Sequence, residues 1–277
     1  MRIRLKFQKY GSVKFIGHLD VMRYFQKAFR RAGLDSEYSK GFNSHQIMSF
    51  AAPLRLGLTS DGEYMDIRLH TSETPKRMLE KINNMMSEGF YVTGFRILDE
   101  PGENEKNVTA MSLVSSADYL VSLKDGYSLG DKMRTPDKFQ EAFEAFYSKT
   151  DITINKKTKK SEMDVNIRPM ITLTAFDDAD YKAKLKETVI EQTGPADNCC
   201  YLLDKESRAD IYENNIRVYM QLDTGSVANL KPELVMEAFC KENQIAYNPF
   251  AWQVHRLEIY TREEENNKII PLLSAYL

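Results

Sequence analysis

Polar residues that could hold a ligand gather in two short segments near the N-terminus. A predicted helix begins at His18 and Asp20, and a turn before the following strand carries a lysine, an amide and a second histidine. Imidazole, ammonium and amide groups beside the free N–H groups of a helix start suit a phosphate or carboxylate. We therefore predict that the two segments meet and bind an anion. The predicted set is His18, Asp20, Lys40, Gly41, Phe42, Asn43 and His45.

Two other interpretations of these residues stay open. With a histidine as general acid or base and a lysine stabilising phosphate charge, His18, His45 and Lys40 would be catalytic residues of a metal-independent ribonuclease. Alternatively, His18 and Asp20 cap the helix and Asn43 holds the turn. No short ligand spacing such as H-E-x-x-H is present, so we predict neither a metal nor a cofactor.

The chain is basic at its start and acidic elsewhere. Residues 1–60 contain eleven Lys or Arg against three acidic residues, a net +8, and the total of -2 leaves -10 for the rest. Clustered positive charge attracts polyanions, which predicts an RNA contact, although a solvated charged surface would show the same composition. The predicted nucleic-acid contacts are Arg2, Arg4, Lys6, Arg23, Arg30, Arg31, Arg68, Lys156, Lys157, Lys159, Lys160 and Arg168.

The placement of these cations follows from the strand pattern. Arg2, Arg4 and Lys6 alternate with apolar residues, so they share one face of a half-buried strand, and that face has only one aromatic residue, Tyr64. An open basic face of this kind would contact phosphates rather than stack bases. The alternative is that the second half of the chain covers this face and the charges pair across the junction.

Periodicity predicts an α+β fold of two ferredoxin-like (βαββαβ) domains with antiparallel sheets. The first domain spans residues 1–100, with strands at 46–58 and 63–69 joined by a turn at 59–62. A linker at 101–116 leads to a second domain at 117–277, which repeats the order less cleanly. It includes a strand from Asp164 through Arg168 and Pro169, where proline demands an edge or bulge, and an irregular insertion at about 178–214.

Composition points to the cytoplasm. The apolar runs are far shorter than the roughly 20 residues that cross a bilayer, and the N-terminus lacks the apolar stretch of a signal peptide. The three cysteines, Cys199, Cys200 and Cys240, are odd in number and do not form a disulfide framework. We predict no membrane contact.

Several segments resemble the uncharacterised radical SAM-linked protein family: FIGHLDVMRYFQKAFRRAGL from residue 15, YSKGFNSHQIMSFAAPLRLGLTSDGEYMDIRL from residue 38, DVNIRPMI, GSV and VHRLEIY. The resemblance implies a protein encoded beside, or fused to, a radical SAM protein, and no established activity. The three cysteines cannot form the C-x3-C-x2-C motif that holds a radical SAM cluster.

These observations favour a non-catalytic accessory module that binds RNA or presents a substrate to a radical SAM partner. The alternatives are the ribonuclease or an RNA-modifying enzyme using His18 and His45, and a protein-interaction scaffold.

Overall fold

The first hundred residues fold largely as their local patterns predict. Ile3, Leu5 and Phe7 alternate with cations along the first strand, and Gly33, at φ +65°, follows a helix with apolar residues every three or four positions. The elements are β1 Arg2–Lys9, α1 His18–Arg31, β2 Met48–Phe50, β3 Thr59–Arg68, α2 Pro75–Asn83 and β4 Phe90–Leu98.

The rest of the chain adds strands and helices to the same structure. The structure is a computed structural model that describes residues 1–102, 108–157, 162–190, 197–202, 206–226, 228–263 and 268–275. The further helices are α3 Ala110–Leu113, α4 Pro136–Tyr147, α5 Asp178–Thr188 and α6 Pro232–Glu242. The further strands are β5 Ser116–Leu123, β6 Thr153–Lys157, β7 Glu162–Asn166, β8 Ile171–Ala175, β9 Cys199–Tyr201, β10 Arg217–Asp223, β11 Trp252–Arg262 and β12 Ile269–Pro271.

One continuous sheet crosses the predicted domain boundary. Within the described residues it has ten strands, eight of them in the order β8-β10-β5-β11-β3-β1-β4-β9, while β2 pairs with β3 and β12 with β11. Every pairing in this sheet is antiparallel except the short parallel contact of β11 with β3, at His255 to Thr59 and Arg256 to Ser60. Strands β6 and β7 form a separate hairpin. The parallel contact joins the two halves.

A glycine permits this junction. A Cβ built on Gly62 of β3 would lie 2.6 Å from the Leu257 carbonyl oxygen and 2.7 Å from the Glu258 Cα of β11. Any other residue would therefore push β11 away from β3.

Two large cores and a third, smaller cluster around Leu120, Tyr181 and Tyr219 lie against the sheet. In the first half, Phe25 of α1 and Ile82 of α2 pack on Ile3, Leu5 and Phe7, as the alternation along β1 predicts. The larger core packs α4 and α6 of the second half on β5, β10 and β11 through a cluster that includes Phe139, Phe143, Phe146 and Phe239. No helix in the described residues is long and apolar enough to cross a membrane.

Four predicted elements differ from the structure. The strand predicted at 46–58 is only β2, and the turn predicted at 59–62 is the start of β3, because those residues pair with β11. The strand predicted from Asp164 is divided into β7 and β8 by a single turn at Arg168–Met170, where Pro169 lacks an N–H for the ladder. The predicted irregular insertion contains α5 and β9, and β9 pairs with β4 of the first half.

The fold is therefore α+β, as predicted, with a large and mostly antiparallel sheet. Its description as two ferredoxin-like domains stays a prediction.

Candidate functional site

His18 lies where α1 begins, and its surroundings are partly apolar. Its ring packs edge-on against Phe50 of β2, with ring centroids 4.8 Å apart. Burial and the nearby charge of Lys9 lower the pKa of His18 below its ordinary value. The residue before it, Gly17, has no side chain to cap the helix, and its carbonyl oxygen accepts from the N–H groups of Asp20 and Val21. His18 is thus a packed and mostly neutral imidazole.

The turn that carries the second histidine is closed by its own hydrogen bonds. The Ser39 hydroxyl lies 3.0 Å from the His45 Nδ1 and accepts from the His45 N–H, and the Asn43 carbonyl oxygen lies 3.0 Å from the same Nδ1. Gly41 has φ +114°, a backbone conformation that favours glycine. Lys40 and Phe42 are exposed. The predicted turn exists, and its polar groups mainly hold its shape.

The described contacts of these two segments are separate, and the anion site stays a prediction. Strands β1 and β2 are both antiparallel to β3, so α1 begins beyond the end of β1, whereas the turn precedes β2 at the end where β1 starts. His18 packs on Phe50, and the five residue steps from His45 to Phe50 span roughly 16 Å if extended at 3.3 Å per residue. The two imidazoles share no hydrogen-bond partner within the first 102 residues.

The predicted open basic face is covered, which corrects the assignment of the cations on β1. Arg4 is fully buried: its guanidinium holds Asp66 at 2.8 and 3.1 Å and donates to the Leu272 carbonyl oxygen at 3.1 Å. Arg2 is also buried and donates to the carbonyl oxygens of Asp99 and Val108. A strand covered on both faces needs internal partners for its cations, so these two arginines cannot contact RNA in this structure.

Lys6 is paired across the junction. Its Nζ lies 2.5 Å from the Glu258 Oε2 of β11, and the Tyr64 hydroxyl donates to the other oxygen of Glu258 at 2.6 Å. These groups line a cavity of about 220 Å³ together with Gln8 and Asp61. This arrangement corresponds to the alternative in which the second half of the chain covers the basic face and the charges pair across the junction.

A buried carboxyl lies on β5, one strand away from β3 across β11. Asp118 is fully buried, and its Oδ2 accepts hydrogen bonds from the hydroxyl groups of Tyr181 and Tyr260, each at 2.7 Å. Burial raises the pKa of Asp118 to about 6, and the nearby charge of Glu258 adds to the rise. The sequence analysis missed this group, because its partners come from α5 and β11.

Asp61 of β3 is a further charged group at the junction, and it lies next to a buried histidine. The His255 Nδ1 lies 2.8 Å from the Thr59 hydroxyl, and its Nε2 lies 2.9 Å from the Asp61 Oδ2. Although burial opposes ionisation of Asp61, contacts with His255, with the Ser207 hydroxyl and with the Arg208 N–H lower its pKa. Thr59 and His255 are buried, whereas Asp61 also lines the cavity of about 220 Å³.

The opposite face of the junction carries a buried ion cluster. Arg256 of β11 donates to the Glu63 carboxylate at 2.8 Å and to the Ala52 carbonyl oxygen at 2.7 Å. Burial lowers the pKa of Lys9 and raises that of Glu63, and each charge opposes the other's shift. These polar groups face one another, so their contacts help to fix the two halves to each other. The described residues contain no cluster of metal-ligating side chains.

Among the predicted nucleic-acid contacts, the cations that are exposed in the described residues lie on one helix. The outward positions of α1 carry Arg23, Lys27, Arg30 and Arg31, at steps of three and four residues, and we call these four residues the α1 basic face. Arg23 contacts Asp20 at 3.3 Å, and Arg31 donates to the Met85 carbonyl oxygen at 3.0 Å. Lys27 and Arg30 make no ion pair within the described chain.

Each of the other predicted nucleic-acid contacts is near acidic residues, stacked on a tyrosine or outside the described residues. Arg68 lies within 3.9 Å of Glu37 and 3.7 Å of Glu100. Arg168 stacks on Tyr147, with its guanidinium carbon 3.9 Å from the ring centroid. The side chains of Lys156 and Lys157, and the whole of Lys159 and Lys160, lie outside the described residues.

The chain belongs to a bacterial protein family. The family's sequence profile matches residues 2–232, and the family is described as "Uncharacterized protein conserved in bacteria (DUF2344)". The description names neither an activity nor a partner. No curated protein matches the chain.

Proposed function

We propose that this member of an uncharacterised bacterial family is a non-catalytic accessory module that binds RNA through the α1 basic face. The observation that carries the proposal is the contrast between α1 and β1. Arg2 and Arg4 of β1 are buried among acceptors, whereas four cations on α1 reach solvent with a single acid, Asp20, among them. Exposed guanidinium and ammonium groups in a row suit a phosphate backbone.

The binding would be electrostatic and insensitive to sequence. The α1 basic face has no stacking aromatic among its four residues, so base recognition is not expected from it. Each phosphate contact on a single strand contributes a slope of about -0.7 to the plot of log affinity against log salt.

We propose a module without catalytic activity because no shared site of His18 and His45 is described. A ribonuclease needs its acid and base on opposite sides of one phosphate, within hydrogen-bond reach of the reacting atoms. His18 packs on Phe50, and His45 bonds within its own turn.

The proposed partner is a radical SAM protein, and the proposed location is the cytoplasm. The partner rests on the resemblance of the segments around HLD, GFN and GEY, and the location on the odd number of cysteines. Cys199 and Cys240 are buried, and burial raises the pKa of Cys240 to about 11, which disfavours the thiolate that an iron–sulfur cluster needs. The cluster would therefore belong to the partner.

The ferredoxin-like description of each half is also a proposal. The strand order β2-β3-β1-β4 in the first half and β8-β10-β5-β11 in the second support it, because each places the first and third strands of a βαββαβ unit at the centre. The hairpin β6–β7 and the segment with α5 and β9 would then be additions to the second unit.

The RNA proposal can be tested by removing the exposed charge from α1. We expect the triple variant R23Q/K27Q/R30Q to bind a fluorescent single-stranded RNA more weakly than the parent and to reduce the salt slope by about 2. The matched control, K132Q/R134Q/K138Q, removes three exposed cations from the second half and should bind as the parent does. Fluorescence anisotropy over a series of salt concentrations measures both quantities. Equal affinity of parent and triple variant would refute the proposal.

The partner is tested separately in cells. After crosslinking, we expect the tagged chain to recover RNA together with a protein that contains a C-x3-C-x2-C motif. Recovery of RNA without such a protein would refute the radical SAM partner and leave RNA binding intact. Recovery of proteins without RNA would favour the scaffold alternative.

A further inference from the structure

A polar groove shares no residue with the α1 basic face and is lined mostly by the second half of the chain. Its volume is about 900 Å³, and it lies between the end of α4, the turn at Arg168–Met170, and the ends of β10 and β11. The lining includes Tyr147, Arg168, Thr172, Thr224, Ser226 and Arg262, and we call it the Arg168 groove. This volume falls within the range of small-molecule sites, about 300 to 1,000 Å³.

The break between β7 and β8 fixes the Arg168 side chain. Its Nε donates to the Tyr147 carbonyl oxygen at 2.7 Å, and its Nη1 donates to the Ile171 carbonyl oxygen at 3.2 Å. Its guanidinium also lies over the Tyr147 ring, 3.9 Å from the centroid. The Nη2 group makes no hydrogen bond within the described residues. A guanidinium that is already held on one edge and one face loses little freedom when its remaining N–H groups bind an anion.

The opposite wall is fixed by close backbone contact. Gly225 has φ +140°, and a Cβ there would overlap the Val114 carbonyl oxygen, so this position accepts only glycine without displacement. The Thr224 N–H donates to the Ser115 carbonyl oxygen at 3.0 Å. The turn therefore places Thr224 and Ser226 at the groove as hydroxyl donors.

The charge of the groove favours an anion. Its lining contains two guanidinium groups, of Arg168 and Arg262, and one carboxylate, Asp223, which lies 3.0 Å from the Arg262 Nη2. One positive charge remains when the carboxylate is ionised, and Arg168 has no acidic partner within the described chain.

We infer that the Arg168 groove binds a small organic phosphate, a single phosphate group carried on a body rich in hydroxyl groups, as in a sugar phosphate. A guanidinium fork matches two phosphate oxygens, and the third oxygen can accept from a serine or threonine hydroxyl. The remaining hydroxyl groups and the backbone carbonyls of the groove suit the hydroxylated body. This site is separate from the proposed RNA surface and does not depend on it.

Isothermal titration calorimetry of the full chain tests the inference with ribose 5-phosphate, inorganic phosphate, ribose and acetate as probes. We expect ribose 5-phosphate to bind more tightly than inorganic phosphate, and we expect ribose and acetate to give no heat at the same millimolar concentrations. The variant R168Q should weaken ribose 5-phosphate binding at least tenfold. The matched control R217Q removes another arginine that lies over a tyrosine ring, Tyr219, outside the groove, and it should bind as the parent does.

A second variant keeps the test valid if R168Q does not fold. Ser226 is exposed at the rim, so S226E adds a negative charge without disturbing the core and should also weaken binding. Absence of heat with both phosphates, equal binding of ribose or acetate, or an equal loss in R217Q would overturn the inference. The α1 triple variant should retain ribose 5-phosphate binding, and R168Q should retain RNA binding, so the two proposals fail independently.

Discussion

Replacement of Asp118 by asparagine should make the protein more stable at neutral pH. Asp118 is fully buried, accepts from two tyrosine hydroxyls at 2.7 Å, and has a pKa raised to about 6 by burial and by the charge of Glu258. An asparagine keeps one oxygen for the two hydroxyls and carries no charge. The substitution therefore removes the cost of ionising a buried group while its hydrogen bonds are retained.

The sign and size of the effect follow from the difference in pKa. The pKa of Asp118 is 3.8 in the unfolded chain and about 6 in the folded protein, so protonation of this carboxyl favours folding. Its contribution to the unfolding free energy is complete below pH 3.8 and is lost as the pH rises through 6. At 1.36 kcal/mol per pKa unit, the loss is on the order of 3 kcal/mol. We expect D118N to exceed the parent in unfolding free energy by up to this amount at pH 7 to 8 and to approach it near pH 4.

Urea unfolding at intervals between pH 4 and pH 8 measures this difference, provided that the m-values of parent and variant agree. Asp125 gives a control of opposite sign, because hydrogen bonds from the backbone N–H groups of Glu213 and Asn214 lower its pKa. Its contribution is present above the pKa of the unfolded chain and is lost as the pH falls, so D125N should be less stable than the parent at neutral pH. If D118N is no more stable than the parent at pH 8, or if the gap does not change with pH, the reasoning about buried charge is wrong.

Two further predictions concern the junction between the halves. E258Q removes the carboxylate that pairs with Lys6 and should lower the unfolding free energy by about 3 kcal/mol, whereas E233Q, at an exposed pair, should cost less than about 1 kcal/mol in the same urea titration. G62A inserts a Cβ against the backbone of β11 and should cost about 1 to 3 kcal/mol or more. G17A, at the N-cap of α1 where a Cβ meets no atom within 4 Å, should cost about 0.5 to 1 kcal/mol, as compared by thermal unfolding. A near-neutral G62A would mean that β11 can move away from β3 without loss.

The fold was predictable where its determinants are local. Alternation along β1 and the apolar spacing of α1 identify these elements and the residues that pack between them, because each pattern is complete within one turn or one strand. The start of β3 was not predictable in this way. Thr59 and Ser60 precede a glycine and look like a turn, yet they pair with His255 and Arg256, almost two hundred residues later. A local pattern of apolar residues contains no information about such a distant pairing partner.

The candidate site depends on long-range geometry in the same way. Its prediction placed the HLD and GFN segments at one end of the sheet, a placement that depends on the direction in which β2 runs along β3. The groups that do meet in space, such as Asp118, Tyr181 and Tyr260, are spread over β5, α5 and β11. Their residue types are common in strands and helices, so no local pattern distinguishes them from other residues of the same type.

The basic excess of the first 60 residues shows what charge counting can and cannot decide. The net charge of a segment indicates how many of its cations need partners. When a strand or helix is covered on both faces, the partner is an acceptor within the protein. When one face remains in water, the partner can be an external anion. Strand β1 is of the first kind, because Glu258, Leu272 and α3 cover the face that its alternation leaves polar. Helix α1 is of the second kind, because its apolar positions fill the core below it and its four basic residues are exposed to solvent. Arg4 and Lys27 therefore have the same charge and different roles, the first in holding the two halves together and the second in the proposed contact with RNA.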